Sequence, residues 1–170
     1  MRAHVVVIAA AALASMGCHM GLLGLVMGAR YSKGPYEAGA IATELGPGAV
    51  RTLACLDVGL AITPEQSLLE MHVGNRCVHA EPFDLEQLVI HATDGSGNDR
   101  MVSLVDPRHE IVRLHIGARE RGHERIRLSN LYEVDHLCIE VAGVAPDAPE
   151  ARPSPVCLDR HADGWGPRLL

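Results

Sequence analysis

Ten histidines in 170 residues are the side chains of this sequence best suited to chemistry, because neutral imidazole binds transition metals. His72, His91 and His115 each fall on the polar side of a predicted strand. If those strands were neighbours in one sheet, the three imidazoles could line up and hold Zn²⁺ or Cu²⁺. We expect instead that they are solvent-facing residues on separate strands, so no metal or other cofactor is predicted. A periplasmic metal-binding or metal-delivery protein that uses these histidines is the alternative hypothesis.

Two places in the chain come near a catalytic motif without completing it. His109-Glu110 begins the zinc-protease pattern HExxH, but the position of the second histidine holds Arg113. That motif also requires a helix, and the segment alternates like a strand. Ser96 lies between two glycines in a predicted turn, whereas a nucleophilic serine of the G-x-S-x-G kind needs a strand-to-helix elbow. The sequence therefore predicts a protein that is not an enzyme.

Apolar residues alternate with polar or small ones along several short segments, which is the pattern of strands with one buried face. The segments lie at residues 56–62, 69–73, 88–92, 101–105, 112–116, 125–128 and 137–141. Turn-forming residues separate them, most clearly at 94–99, and residues 117–124 are predicted to be a charged connection. About seven short strands with hardly any helical pattern predict an all-β fold, an antiparallel β-sandwich.

The order and spacing of these strands over residues 53–143 resemble an immunoglobulin-like (Ig-like) fold, which implies two packed sheets. The only tryptophan, Trp165, lies in the tail, so the architecture is Ig-like without being that of an antibody domain. The Ig-like β-sandwich is assigned to residues 51–143. A tether at 18–50 is expected before it and a proline-rich arm and tail at 144–170 after it.

The N-terminal stretch decides the compartment of the protein. Arg2 gives a charged start, an apolar run and small residues follow, and Gly17 precedes Cys18. This order resembles a bacterial lipoprotein signal, which implies that residues 1–17 are removed and that Cys18 carries acyl chains such as palmitate.

Two other interpretations of the same stretch stay open. Ala12-Leu13-Ala14 is an A-x-A cleavage site, which would release a soluble protein that begins at Ser15. Residues 5–29 are also long enough to span a bilayer as one uncleaved anchor helix. All three interpretations predict that the rest of the chain lies outside the cytoplasm.

The cysteine count agrees with an exported domain. If Cys18 carries lipid, four cysteines remain, and an even number in this compartment indicates two disulfides. Three pairings are possible. We favour Cys77–Cys138, which would join an early strand to a late one across the core, and Cys55–Cys157, which would tie the tail to the first strand.

The charge of the chain limits its partners. Fifteen basic residues against 21 acidic ones give a net charge of −6, which argues against nucleic acid. We therefore predict a non-catalytic, lipid-anchored binding or scaffold module of the bacterial cell envelope. Its partners would be the membrane, through the N-terminal lipid or helix, and another envelope protein. The outer membrane is favoured because His19, and not the aspartate that retains some lipoproteins at the inner membrane, follows the cysteine.

Overall fold

The computed structural model describes residues 34–63, 67–105, 113–145 and 152–168, which form antiparallel β-sheets with little helix. In chain order the strands are β1 (Val50–Leu53), β2 (Leu56–Thr63), β3 (Leu68–Asn75), β4 (Glu81–Asp84), β5 (Val89–Thr93), β6 (Asp99–Arg100), β7 (Leu104–Val105), β8 (Arg113–Ile116), β9 (Arg121–Leu128), β10 (His136–Glu140), β11 (Val156–His161) and β12 (Gly164–Pro167). A short helix, α1 (Ala40–Leu45), precedes them, and 3₁₀ turns lie at Pro47–Ala49, Leu85–Gln87, Leu131–Glu133 and Ala142–Val144. The all-β prediction is confirmed.

The strands form two five-stranded sheets and one two-stranded sheet, and buried residues of all three contribute to one hydrophobic core. The first sheet has the order β1-β2-β3-β9-β7, the second has the order β12-β11-β10-β5-β6, and β4 pairs with β8. Leu60 of β2 and Leu69 of β3 are fully buried, as are Leu137 and Ile139 of β10. Burying one such side chain contributes about 1.5–3 kcal/mol, so the inward positions of the strands supply much of the stability.

One strand begins earlier than the alternation of apolar and polar residues predicts, because some of its core-facing positions do not hold apolar residues. Residues 117–124 were predicted to be a charged connection, but β9 begins at Arg121, so the prediction is wrong for residues 121–124. Gly122 and Glu124 occupy two of the buried positions of this strand. A glycine and a glutamate at these positions hide the alternation. The predicted arm and tail carry two further strands, β11 and β12, which extend the second sheet beyond β10.

Residues 34–49, expected to belong to the tether, lie against the outer face of the first sheet, and we call them the N-terminal cover. Ile41 is fully buried over Gly59 of β2, and the ring of Tyr36 lies over Gly74 of β3. A Cβ atom at either glycine would overlap the side chain above it. Because neither glycine has a side chain, the cover can pack directly against the sheet at both positions.

A hydrogen bond holds the same segment in place. The Tyr36 hydroxyl donates to Asp57 Oδ2 over 2.8 Å, and Arg76 Nε lies 3.1 Å from that oxygen. Burial raises the pKa of Tyr36 to about 12, and the hydrogen bond to Asp57 acts in the same direction. The phenol therefore stays protonated and donating throughout the physiological range.

The predicted signal peptide or anchor and the lipidation site Cys18 lie outside the described residues. Within the described ranges, no helix has the length and apolar character needed to cross a membrane.

Cys55, Cys77, Cys138 and Cys157 form two disulfides, but the pairing favoured from the sequence is wrong. The bonds are Cys55–Cys77 and Cys138–Cys157, with Cα–Cα distances of 5.4 and 4.0 Å. Cys55 precedes β2 and Cys77 follows β3, so the antiparallel pairing of these strands brings the two residues to the same end. Cys138 of β10 lies directly opposite Cys157 of β11. Each disulfide therefore joins neighbouring strands, and neither crosses the core.

Asp159 joins the last strands of the second sheet. Its carboxylate accepts hydrogen bonds from Arg168 Nε over 3.0 Å and Nη2 over 2.9 Å, and His136 Nδ1 lies 2.8 Å away. These contacts, that of Arg168 first, lower the pKa of Asp159 below its ordinary value. Because the folded pKa is lower than the unfolded one, the contacts stabilise the fold above pH about 4.

We expect this stabilisation to be lost as the pH falls through the folded pKa of Asp159. The Asp159→Asn variant should be less stable than the wild type at pH 6, and the difference should shrink between pH 4 and pH 2. Urea unfolding at several pH values measures it, with Asp163→Asn in the exposed β11–β12 turn as the matched control. A difference that stays constant down to pH 2 would show that Asp159 does not act through its charge.

Candidate metal centre

The outer face of the first sheet carries two histidines and one carboxylate, Glu70, His72 and His123, which we call the HHE cluster. Glu70 and His72 are two positions apart on β3, so both side chains point to one face while Met71 between them is buried in the core. In the antiparallel register of β3 with β9, His123 lies directly opposite His72. Backbone pairing alone therefore assembles three potential metal ligands.

Both histidines direct the Nε2 atom towards one carboxylate oxygen. Oε2 of Glu70 lies 3.7 Å from Nε2 of His123 and 4.0 Å from Nε2 of His72, and the imidazole centroids are 4.4 Å apart. One ligand atom from each residue falls within 4.8 Å of the other two. In a tetrahedral site, ligand atoms about 2.0–2.2 Å from the ion are roughly 3.3–3.6 Å apart. The two distances from Glu70 Oε2 to the histidine nitrogens exceed that spacing by a few tenths of an ångström.

Two neighbours fix the carboxylate of Glu70 in this orientation. The Thr63 hydroxyl donates to Oε1 over 3.1 Å, and Arg125 Nε lies 3.1 Å from the same oxygen. Because both partners engage Oε1, the other oxygen is left facing the two histidines. A ligand held by such contacts loses less side-chain entropy when an ion binds.

Burial keeps the imidazole of His72 neutral. His72 is only 5% exposed, and its Nε2 atom has no hydrogen-bond partner among the described residues. Burial lowers the pKa of His72 below its ordinary value, and the neighbouring His123 lowers it further, since two imidazolium ions would repel each other. Neutral imidazole is the state that coordinates a metal ion.

The N-terminal cover adds a second carboxylate at the edge of the HHE cluster. Glu44 of α1 places Oε1 3.8 Å from His72 Nδ1, on the side of the ring away from Glu70. Arg121 Nη2 donates to Glu44 Oε2 over 2.9 Å and lies 3.3 Å from His72 Nδ1. The hydrogen bond from Arg121 lowers the pKa of Glu44, so this carboxylate stays charged near neutral pH.

The three histidines singled out from the sequence lie in three different sheets. His72 belongs to the HHE cluster on β3, and His91 lies on β5 of the second sheet, where its Nε2 is 3.1 Å from Glu140 Oε1. His115 lies on β8, which pairs with β4. The structure therefore joins His72 to His123 and Glu70 and leaves the other two elsewhere.

His123 was missed because the segment around it was assigned to a charged connection. A signal was present, since Arg121, His123, Arg125 and Arg127 occupy alternate positions, as polar side chains on one face of a strand do. The partner strand of β9 was not evident from this alternation.

A second group of potential ligands, Cys55, Cys77 and Glu81, also lies within ligand distance. Its two sulfur atoms form a disulfide and offer no thiolate, which is the form of cysteine that binds metals. The HHE cluster is therefore the better candidate in the part of the chain that the structure describes.

No protein-family model matches this sequence, and comparisons with curated proteins and with solved structures give no significant match. The function is therefore argued from geometry and chemistry alone.

Proposed function

We propose that the protein is an exported, membrane-anchored binding protein that holds one Zn²⁺ or Cu²⁺ ion at Glu70, His72 and His123. The observation that carries the proposal is the approach of both Nε2 atoms to a single oxygen of Glu70, at 3.7 and 4.0 Å. Paired strands set this convergence, so the ligands sit on a rigid part of the fold.

The ligand set favours a transition metal over Ca²⁺ or Mg²⁺. Two imidazole nitrogens and one carboxylate oxygen suit Zn²⁺, Cu²⁺ and Fe²⁺, whereas Ca²⁺ and Mg²⁺ prefer oxygen ligands alone. Fe²⁺ binds such ligands more weakly than Cu²⁺ or Zn²⁺. Three protein ligands would leave a position for water or for a ligand from a partner, as transient binding or delivery requires. We propose binding without catalysis, since His109-Glu110 does not complete HExxH and Ser96 does not complete G-x-S-x-G.

The compartment and the finer fold belong to the same proposal. Two disulfides support an oxidising compartment, in agreement with a lipid on Cys18 after removal of residues 1–17, or with an anchor helix at 5–29. We therefore propose the bacterial cell envelope as the location of the domain, with the outer membrane favoured. Two five-stranded antiparallel sheets around one core support an Ig-like β-sandwich.

Isothermal titration of zinc into the untagged full-length protein in detergent tests the proposal. We expect one site per chain, and bound metal should also be present in protein purified from the envelope without added zinc. Titration of calcium provides the comparison, and it should give no heat at the same concentrations. Absence of zinc and copper binding at tens of micromolar would contradict the proposed function.

A groove favours a second function, that of a scaffold for another envelope protein. Tyr132 and Trp165 border a groove of about 430 Å³, and Tyr132 is 73% exposed. Arg160 contacts both residues: its Nη1 donates to the carbonyl oxygen of Tyr132 over 3.1 Å, and its Cζ lies 5.3 Å from the centroid of the Trp165 ring. Exposed aromatic and arginine side chains are enriched at protein interfaces.

A photocrosslinking residue at Tyr132 should give a discrete product in intact cells, whereas one at Met101, which is 85% exposed, should not. Equal labelling at both positions would remove this second candidate.

A further inference from the structure

The contact between Arg121 and His72 indicates which nitrogen of His72 carries the proton in this structure. A guanidinium nitrogen can only donate a hydrogen bond, so His72 Nδ1, which lies 3.3 Å from Arg121 Nη2, must accept. The single proton of the neutral imidazole is then on Nε2. A protonated Nε2 has no lone pair for a metal ion. In this arrangement His72 faces Glu70 and still cannot act as a ligand.

We propose that Glu44 and Arg121 are opposing positioning residues that select the tautomer of His72, an inference that rests on the metal-binding function proposed above. Oε1 of Glu44 lies 3.8 Å from the same Nδ1 atom that Arg121 approaches. When Nδ1 carries the proton, it donates to Glu44, and Nε2 is free to bind the ion. When Arg121 donates to Nδ1, the proton stays on Nε2 and the ion is excluded.

The exchange between the two tautomers conserves atoms and charge. One proton leaves Nε2, one proton is taken up at Nδ1 through water, and the imidazole stays neutral throughout. Arg121 keeps its hydrogen bond to Glu44 Oε2, because the two oxygens of Glu44 can serve Arg121 and His72 at the same time. A histidine ligand that donates its other nitrogen to a carboxylate is the usual arrangement in metal proteins.

This assignment links the metal site to the N-terminal cover. Glu44 lies on α1, which is part of the cover. The cover packs against the sheet through Ile41 over Gly59 and Tyr36 over Gly74. The cover connects the domain to the predicted membrane anchor. The carboxylate that prepares His72 for a metal ion is therefore present at the site only while the cover is docked.

Zinc affinities of the untagged full-length protein and its variants, measured in detergent by competition with a chelator, test the inference. Glu44→Ala should weaken binding by about 10-fold or more, the range usual for a partner of a ligating histidine. Glu44→Gln should recover much of this loss, because the amide oxygen still accepts from Nδ1–H. Arg121→Ala should strengthen binding. Glu37→Ala, at another exposed glutamate of the cover, and Arg127→Ala, at an exposed arginine of β9, are the matched controls.

The ¹⁵N resonances of the imidazole provide a readout that a merely structural role would not change. In the zinc-free wild type the His72 proton should be on Nε2, and in the Arg121→Ala variant and the zinc complex it should be on Nδ1. A wild type that binds no zinc would overturn the proposed function itself. Zinc binding with Glu44→Ala and Arg121→Ala indistinguishable from their controls would overturn only the inference about the tautomer. Equal weakening by both variants would also overturn it, since it indicates loss of the docked cover.

Discussion

Replacing Cys138 and Cys157 together with serine is expected to lower the free energy of unfolding by about 2–5 kcal/mol. The disulfide links β10 to β11, and β12 is attached to the sheet only through β11. Its removal gives the last two strands more freedom in the unfolded chain. In the folded chain, backbone pairing, the buried side chains of Val156 and Leu158 and the contacts of Asp159 are left to hold them. Urea unfolding of the oxidised wild type and the double variant measures the loss.

A single variant tests the pairing itself. Cys77→Ser should leave one reactive thiol in the described domain, on Cys55, and should keep the bond between Cys138 and Cys157. Alkylation without reduction, followed by peptide mass mapping, identifies the free thiol. A free thiol on Cys138 would contradict the structure and would support the pairing first favoured from the sequence.

The second large effect is expected at the metal ligands. His123→Ala should weaken zinc binding about 100-fold or more, because the loss of a direct ligand should exceed the 10–100-fold loss typical when a residue that only orients a ligand is changed. His91→Ala is the matched control, since His91 is also a strand histidine beside a glutamate but lies on the second sheet. Titration of zinc into the three proteins compares their affinities, and circular dichroism of the zinc-free forms confirms that each is folded.

An equal loss of affinity in the two variants would place the bound zinc away from the HHE cluster. Unchanged affinity in both would do the same, and would direct attention to other histidines that lie beside a carboxylate, such as His79 and His136.

Much of the all-β fold could be predicted from the sequence, because apolar residues at alternate positions face the core along several strands. In β2, Leu56, Val58, Leu60 and Ile62 are all buried, as their spacing predicts. The start of β9 was missed because Glu124, which is only 4% exposed, takes an inward position that apolar residues usually occupy. The alternation of apolar and polar residues identifies the buried and exposed faces of a strand only when the buried positions hold apolar residues.

The pairing of strands could not be predicted in the same way, and both the disulfides and the HHE cluster depend on it. The sequence placed His72 on the outer face of a strand, but its position opposite His123 follows from the register of β3 with β9. Likewise, Cys138 lies opposite Cys157 only because β11 returns beside β10. Periodicity within a segment contains no information on which segment lies next to it.

The most direct test of the account is diffraction from crystals of the untagged, zinc-loaded protein, measured at the zinc absorption edge. The account predicts one anomalous peak about 2.0–2.1 Å from Nε2 of both His72 and His123, and about 2.0–2.2 Å from an oxygen of Glu70. An ion bound only by other residues, such as His91 with Glu140, or no peak between these three ligands, would contradict the proposed metal centre.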